Sequence, residues 1–170
     1  MAVRVRAAAV ELAVFDVDGV LTDGRIILGP NGEEYKAFDV RDGLGMVRLR
    51  EAGVTLAVIT GRSSAVVAAR MRELGVTHVH QGVSDKRACL AALQAKLGCE
   101  PARTCYLGDD LPDLAPMALA GLAVAVADAC AAVRARADWI TAAAGGRGAA
   151  RELSELILAA RLAPPQGVRT

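Results

Sequence analysis

Short apolar runs that end in glycine or aspartate recur along the chain, and a more polar stretch follows each one. Five of these runs have the length and continuous hydrophobicity of strands that are buried on both faces. They are LAVFDVDG (12–19), VTLAVITG (54–61), VTHVHQG (76–82), TCYLGDD (104–110) and LAVAVAD (122–128). This pattern predicts the strands of a parallel sheet.

Apolar residues between these runs recur at the three- and four-residue spacing of one helix face. Residues 63–74 place Val67, Met71 and Leu74 on one side of a helix, and residues 85–97 repeat that spacing. Strands that alternate with helices predict right-handed crossovers and an α/β fold with a doubly wound parallel sheet. The 170 residues, 54% of them hydrophobic, fit one domain that spans the whole chain.

The segment GRIILGPNGEEYKAFDVRDG (24–43) interrupts the alternation of strands and helices. Its apolar pieces IIL and YKAF are joined by GPNGE, which is a strong turn signal. The segment predicts a β-hairpin flap over about residues 24–40, where it would overhang the carboxyl end of the first strand. The last stretch, LAPPQGVRT (162–170), predicts a frayed and disordered tail.

The balance of charge excludes several classes of partner. With 20 basic and 19 acidic residues the net charge is +1, so no general field favours nucleic acid or an anionic membrane. The sequence also lacks an apolar stretch of membrane-spanning length and an export cleavage pattern, which predicts a cytoplasmic protein. The four cysteines have no CxxC spacing and are predicted to be reduced thiols; they are Cys89, Cys99, Cys105 and Cys130.

Charged and hydroxyl side chains stand at the exits of the predicted strands. In FDVDG, Asp16 and Asp18 project to the same side while the backbone stays extended, which holds two like charges close together. Such a pair either raises the pKa of one group or recruits a cation. Ligands of open parallel sheets bind beyond the carboxyl ends of the strands, so the strand-end groups should converge. The other groups are Thr60, Gly61 and Arg62 after the second run, Lys86 after the third, and Asp109, Asp110 and Asp113 after the fourth.

This set of groups meets the needs of phosphoryl transfer. Asp16 and Asp109 would give oxygen ligands to Mg²⁺, and one carboxylate would act as a nucleophile that forms an aspartyl phosphate. Thr60 and Lys86 would neutralise the phosphate oxygens as charge spreads over them. The other aspartate of the Asp16 and Asp18 pair would protonate the departing alkoxide and later activate the attacking water.

Other function classes fit parts of this set. A DxD alone also occurs in solvated turns and in metal-dependent glycosyltransferases. A signalling receiver module also has an acidic cluster, a threonine and a lysine, but its lysine follows the phosphorylated aspartate, whereas Lys86 precedes Asp109. A catalytically silent assembly subunit does not need the intact acidic set. His78 and His80 have no third metal partner, which favours ordinary, partly buried histidines.

FDVDGVLTDG resembles the DxDGxxT/S signature of the haloacid dehalogenase superfamily, and that superfamily's threonine, lysine and GDD elements follow in order. The segments KAFDVRDGLG, VITGRS, GDDLPDL, AVADA and GGRGAARE are similar to those of one branch, the 3-deoxy-D-manno-octulosonate 8-phosphate phosphatases, over about residues 10–160. The resemblance implies a cap-less, Mg²⁺-dependent phosphomonoesterase of lipopolysaccharide precursor synthesis. A related nine-carbon substrate, a nonulosonate 9-phosphate, stays open.

The resemblance also implies roles for individual positions. Asp16 corresponds to the nucleophile and metal ligand, Asp18 to the acid/base that binds metal through its backbone carbonyl, and Asp109 to the second metal carboxylate. Thr60 and Lys86 correspond to the phosphate-binding pair. The positions that would contact the substrate are Asp18, Asp39, Val40, Arg41, Asp42, Gly43, Gly61, Arg62, Arg70 and Lys86.

The branch further implies a homotetramer, in which the hairpin and a neighbour's C-terminal tail help to close the site. Arg147 in GGRGAARE would then have a role in that closure. The sequence departs from the branch at Val47, where a further substrate-side arginine is expected and Arg48 stands next to it. That departure bears on the exact sugar rather than on the phosphatase reaction.

Overall fold

The computed structural model describes residues 2–162, in which strands and helices alternate along most of the chain. The strands of this part are β1 (Leu12–Phe15), β2 (Ile27–Leu28), β3 (Glu34–Tyr35), β4 (Thr55–Ile59), β5 (His78–His80), β6 (Thr104–Gly108), β7 (Leu122–Ala125) and β8 (Trp139–Ile140). The helices are α1 (Ala2–Ala8), α2 (Val40–Glu51), α3 (Ala65–Glu73), α4 (Lys86–Leu97), α5 (Leu114–Met117), α6 (Ala131–Arg134) and α7 (Ala149–Leu162). Short 3₁₀ turns cover Pro101–Arg103 and Leu111–Asp113.

Six of the strands form one parallel sheet in the order β5–β4–β1–β6–β7–β8. All four side chains of β1 and all four of β7 are buried, as expected for strands that are covered on both faces. The predicted doubly wound parallel sheet is therefore confirmed, and the five predicted runs contain β1, β4, β5, β6 and β7.

The order of the strands places a crevice at the centre of the sheet. The chain builds outward from β1 through β4 and β5, and then continues through β6 on the other side of β1. Phe15 at the end of β1 pairs in register with Val58 of β4 and with Leu107 of β6, so the three strand ends lie side by side. An open α/β sheet binds ligands where its order reverses in this way.

Close packing of helices covers one face of the sheet. Helix α7 packs against α1 and α2, and Gly45 allows the approach to α2, since a Cβ atom there would lie 2.9 Å from the Cα atom of Arg151. The fully buried side chains include Phe15, Met46 and Tyr106, which belong to one continuous apolar core. This core holds the carboxyl ends of the central strands in fixed positions.

Several elements differ from the sequence prediction. The two-residue strands β2 and β3 pair antiparallel, with Ile27 opposite Tyr35, but the chain then leaves the strand conformation and enters α2 at Val40. Asp39 caps that helix by accepting a hydrogen bond from the Arg41 N–H at 2.7 Å. Helix α1 precedes the first predicted strand, and neither α1 nor β8 was predicted.

Two further expectations concern the cysteines and the tail. All four cysteines lie in the described part of the chain, and each is a free thiol. Of the tail predicted to be frayed, Leu162 is the last residue of α7, and the rest lies outside the described residues. No helix within residues 2–162 is long and apolar enough to cross a membrane.

Candidate active site

Two carboxylates meet at the carboxyl ends of the central strands. Asp16 directly follows β1, and its N–H donates to the Leu107 carbonyl at 3.1 Å, while Asp109 directly follows β6. Carboxylate oxygens of Asp16, Asp109 and Asp113 all lie within 4.8 Å of one another. Asp16 Oδ1 and Asp109 Oδ1 are buried, and neither has a hydrogen-bond partner among the described residues.

The electrostatics of this cluster favour a bound cation. Burial, reinforced by the charge of Asp113, raises the pKa of Asp16 to about 6. Burial and the neighbouring carboxylates raise the pKa of Asp109 to about 8. Two buried carboxylates that lie close together, each with one unpartnered oxygen, are a suitable ligand pair for a hard divalent cation such as Mg²⁺, which would relieve the repulsion between them.

Asp113 is the third member of the cluster, but its oxygens are already occupied. Its Oδ1 accepts from Lys86 Nζ at 2.7 Å and from the Tyr106 hydroxyl at 2.8 Å. Its Oδ2 accepts from the backbone N–H of Asp109 at 3.0 Å and of Asp110 at 3.4 Å. Asp113 therefore positions the lysine and the loop after β6, and we do not count it as a metal ligand.

Lys86 and Thr60 complete the buried part of the site. Lys86 is the first residue of α4, and its Nζ lies 3.1 Å from Asp16 Oδ2. Burial lowers the pKa of Lys86, but the charges of Asp16 and Asp113 outweigh it and the net change is upward, so the ammonium stays charged. Thr60 directly follows β4 and is buried, and its N–H donates to the His80 carbonyl at 2.9 Å. The structure thus brings together the predicted nucleophile and the predicted phosphate-binding pair.

Asp18 lies at the outer side of this cluster, within a network of four charged side chains. Its Oδ1 accepts a hydrogen bond from Lys36 Nζ, and its Oδ2 lies 3.9 Å from Arg62 Nε. Glu34 joins the two cations, with its Oε1 3.3 Å from Lys36 Nζ and 3.2 Å from Arg62 Nη2. Lys36 and Glu34 were not among the predicted site residues. The sequence signals for Lys36 are its place at the start of KAFDVRDGLG and the fact that it is one of three lysines in the chain.

Glycines allow the loops around the acidic cluster to pack together. Gly19 has a φ of +92°, and a Cβ atom there would collide with Asp109 Oδ2. A Cβ atom at Gly145 would collide with the Gly19 carbonyl, and the Gly146 N–H donates to the Val20 carbonyl at 2.8 Å. The glycine-rich segment before α7 therefore supports the loop that carries Asp16 and Asp18.

The segment that begins α2 lines a groove together with part of the glycine-rich segment before α7. Arg41 pairs with Asp39 at 2.6 Å and also donates to the Arg147 carbonyl at 3.1 Å. The hydrogen bond from Arg41 holds the pKa of Asp39 below its usual range. The groove has a volume of about 260 Å³, and its lining residues are Asp23, Ala37, Phe38, Asp39, Arg41, Gly146 and Arg147.

Other residues that were predicted to contact the sugar have mainly structural contacts. Asp42 is buried, and its carboxylate accepts from the N–H groups of Gly148 at 3.1 Å and Arg151 at 2.8 Å, at the start of α7. Gly43 is buried and lies so close to Arg70 that a Cβ atom at this position would collide with Arg70 Nη2.

Arg70 itself packs over the ring of Phe38, 5.9 Å from its centroid, and pairs with Glu73 at 2.9 Å.

The remaining predicted positions are open to solvent or packed inside. Val40 and Gly61 are exposed, whereas Val47 packs against the core next to the exposed Arg48. A partly buried valine thus stands where the branch is expected to have an arginine.

Comparison with known proteins identifies the class. Residues 39–121 match the haloacid dehalogenase-like hydrolases. The chain is 47% identical to the 3-deoxy-D-manno-octulosonate 8-phosphate phosphatase KdsC of Yersinia pestis, over 92% of this chain and 83% of that protein. It is also 47% identical to KdsC of Escherichia coli K12, over the same shares of the two chains.

A solved structure agrees with this match. The phosphatase of Moraxella catarrhalis, crystallised with a magnesium ion, a phosphate ion and KDO, superposes with a TM-score of 0.92 at 48% identity, covering 94% of this chain and 91% of that chain. The acidic site at the strand ends of this sheet therefore belongs to a haloacid dehalogenase-like hydrolase. Within that class, the chain belongs to the 3-deoxy-D-manno-octulosonate 8-phosphate phosphatase family. The predicted resemblance is confirmed.

Proposed function

We propose that this protein hydrolyses 3-deoxy-D-manno-octulosonate 8-phosphate to KDO and inorganic phosphate, with Mg²⁺ as its cofactor. The observation that carries the proposal is the pair of buried, unpartnered oxygens, Asp16 Oδ1 and Asp109 Oδ1, beside the charged Lys86. The substrate is the one named for the Yersinia and Escherichia relatives. The magnesium ion and the KDO bound to the Moraxella enzyme agree with the proposed cofactor and the proposed sugar.

The reaction proceeds in two halves through an aspartyl phosphate. An oxygen of Asp16 attacks phosphorus, the bond from phosphorus to the sugar oxygen breaks, and Asp18 gives a proton to that departing oxygen. In the second half, Asp18 takes a proton from the water that attacks the aspartyl phosphate, the bond from phosphorus to the Asp16 oxygen breaks, and inorganic phosphate and the free Asp16 carboxylate result. Lys86 and Thr60 hold the phosphate oxygens throughout, and Mg²⁺, when bound, neutralises the acidic cluster and the phosphate charge.

The groove beside α2 provides the place for the sugar acid. Arg41 and Arg147 offer guanidinium groups to a carboxylate, and Asp39 offers an acceptor to the sugar hydroxyls. Arg62 lies close to Asp18, with its Nε 3.9 Å from Asp18 Oδ2. These contacts suit a substrate that has a phosphate at one end and a carboxylate at the other.

The assembly and the compartment are part of the proposal. A homotetramer is supported by family resemblance and by the exposed apolar side chains of the hairpin, among them Ile27, Leu28 and Tyr35. A cytoplasmic location is supported by the four free thiols.

Phosphate release tests the proposed substrate. We expect a kcat/KM for the eight-carbon 8-phosphate that exceeds that for a nonulosonate 9-phosphate by about tenfold or more, because one extra carbon changes the fit of both charged ends. Removal of divalent cations should abolish turnover, and added Mg²⁺ should restore it. A higher kcat/KM for the nine-carbon ester would assign the other sugar acid.

The variant Asp16→Asn tests the covalent route. It keeps the size of the side chain but removes the nucleophilic carboxylate, so turnover should fall by about a thousandfold or more while the melting temperature is retained. Substantial residual turnover by this variant would exclude the aspartyl phosphate.

A further inference from the structure

Lys36 is a buried cation for which the reaction described above has no role. Its side chain is only 1% exposed, compared with 5% for Lys86. An ammonium group is rarely buried to this extent unless carboxylates compensate its charge. Lys36 Nζ meets two of them, Asp18 Oδ1 and Glu34 Oε1. The contact with Asp18 places this cation directly on the proposed acid/base.

The two cations beside Asp18 differ in how firmly they are held. The Arg62 side chain is 48% exposed, and its Nε is 3.9 Å from Asp18 Oδ2, so solvent screens that contact. Lys36 is enclosed and hydrogen-bonded to the other oxygen, Oδ1. Because an ammonium has no acceptor, Oδ1 is unsuitable for carrying a proton, and Oδ2 is left for the exchange with substrate and water. Lys36 therefore determines which oxygen of Asp18 is available.

The position of Lys36 in the chain connects the hairpin to this function. Lys36 directly follows β3, and β2 and β3 expose most of their own side chains, such as Leu28 at 64%. The buried Lys36 ammonium and the Glu34 carboxylate thus hold the hairpin against Asp18 and Arg62, which lie just beyond the carboxyl ends of β1 and β4. Placement of the hairpin and orientation of Asp18 depend on the same ion pair.

We propose that Lys36 is a positioning residue that orients Asp18 for proton transfer to the departing sugar oxygen. The proposal rests on the proposed phosphatase reaction. In that step the proton moves from Asp18 Oδ2 to the ester oxygen as its bond to phosphorus breaks and the bond from Asp16 to phosphorus forms. Lys36 takes no part in the bond changes.

Substrates that differ in leaving group test this role. An alkyl phosphate such as the 8-phosphate needs a proton on its departing oxygen, whereas p-nitrophenolate departs from p-nitrophenyl phosphate without one. The ratio kcat/KM reports the steps up to release of that group. For Lys36→Met, we expect kcat/KM to fall by about thirtyfold or more with the alkyl phosphate, and by less than about threefold with the aryl phosphate.

Two further variants make the result interpretable. Lys36→Arg keeps the cation and should recover most of the activity with the alkyl phosphate, whereas Lys96→Met removes an exposed lysine of α4 and should change neither substrate. Equal losses with both substrates, or no loss with either, would overturn the proposal. If Lys36→Met does not fold, Lys36→Gln, which also removes the charge, should show the same selective loss, and equal losses with both substrates in that variant would overturn the proposal as well.

The wild-type protein separates this inference from the proposed substrate. If it hydrolyses the aryl phosphate but not the 8-phosphate, the proposed substrate is wrong. The comparison is then made with whichever alkyl phosphate the wild-type protein turns over, and the selective loss in Lys36→Met is expected there too.

Discussion

Glycines without side-chain chemistry decide how closely the acidic groups of this site approach each other. Gly19 follows Asp18 in a left-handed conformation and lies against Asp109 Oδ2. Gly145 in turn lies against the Gly19 carbonyl. A carboxylate ligand and its cation need a separation that is set within a few tenths of an ångström, so the missing side chains are part of the ligand geometry.

Gly19 has no side chain that could bind the metal or the substrate, so its substitution tests the packing of the site. Gly19→Ala should weaken Mg²⁺ binding by about tenfold or more, because the new methyl group displaces the Asp109 carboxylate. Strain at positive φ should also lower the free energy of unfolding by about 1–2 kcal/mol. Isothermal titration with Mg²⁺ and thermal denaturation measure the two effects.

Gly53→Ala is the matched control. Gly53 has a φ of +81°, similar to that of Gly19, but a Cβ atom there would have no neighbour within 4 Å. It should lose a comparable amount of stability and keep its Mg²⁺ affinity. Equal losses of affinity in the two variants would show that backbone strain, and not the contact with Asp109, is responsible.

The sequence allowed some of these residues to be predicted and not others. Asp16, Lys86 and Asp109 were predicted to converge because each stands at a strand exit, and parallel strands bring their exits together. Lys36 and the support from Gly145 could not be found in that way. Both act through contacts between distant segments that leave no local periodicity, and only the packed structure reveals them.

Helix α7 is joined to α2 by a capping contact between distant parts of the chain. The N-terminal N–H groups of a helix need acceptors, and here the buried Asp42 carboxylate of α2 accepts from Gly148 and Arg151. Both backbone groups lie at the start of α7, next to the glycine-rich segment that supports the Asp16 loop. The cap thus holds together two helices and one side of the active site.

Loss of this cap should destabilise the protein. Asp42→Ala removes both acceptors from a buried position, and we expect it to lower the free energy of unfolding by about 1–2 kcal/mol and the melting temperature by roughly 3–6 °C. Asp42→Asn retains one acceptor oxygen and should lose less. Thermal denaturation of the two variants measures the difference.

Asp85→Ala serves as the reference for an ordinary cap. Asp85 is exposed and accepts from a single N–H, that of Ala88, at the start of α4. The variant Asp85→Ala should therefore lose less stability than Asp42→Ala. An unchanged melting temperature in Asp42→Ala would instead favour a role of this carboxylate in binding the sugar alone.

Elements with a strong hydrophobic pattern were predicted from the sequence, whereas an element with a weak pattern was not. The apolar runs that became β1, β4, β6 and β7 are fully or almost fully buried, so hydrophobic burial alone identified them. Helix α2 was not predicted, and it contains Gly43 and Gly45, which are poor helix formers. Those glycines are explained by close approach to Arg70 and to α7, and packing therefore overrides local propensity here.

The acidic cluster makes the stability of the entire protein depend on pH. An unfolded aspartate has a pKa of 3.8, whereas in the folded protein without metal the pKa of Asp16 is about 6 and that of Asp109 about 8. A carboxyl whose pKa is raised by folding stabilises the folded state while it is protonated. That contribution is complete below about pH 4 and is lost as the pH rises through about 6 and then about 8.

We therefore expect the melting temperature of the metal-free protein to fall between pH 5.5 and about pH 8.5 because of these two groups. Mg²⁺ binds the ionised carboxylates and competes with protons, so the rise in melting temperature on adding it should be larger at the higher pH. Thermal denaturation with and without Mg²⁺ at both pH values measures this. Asp109→Asn should flatten the upper part of the pH dependence, and an equal or larger Mg²⁺ effect at the lower pH would contradict the prediction.

The central place of β1 between β4 and β6 has a consequence for synthesis of the protein. Asp16 directly follows β1, whereas Asp109 directly follows the neighbouring strand β6 and is synthesised 93 residues later. A nascent chain therefore possesses the proposed nucleophile, Asp16, long before Asp109 is present to help retain an ion. Capture of the ion is a late event, and it reports that both sides of the sheet have assembled.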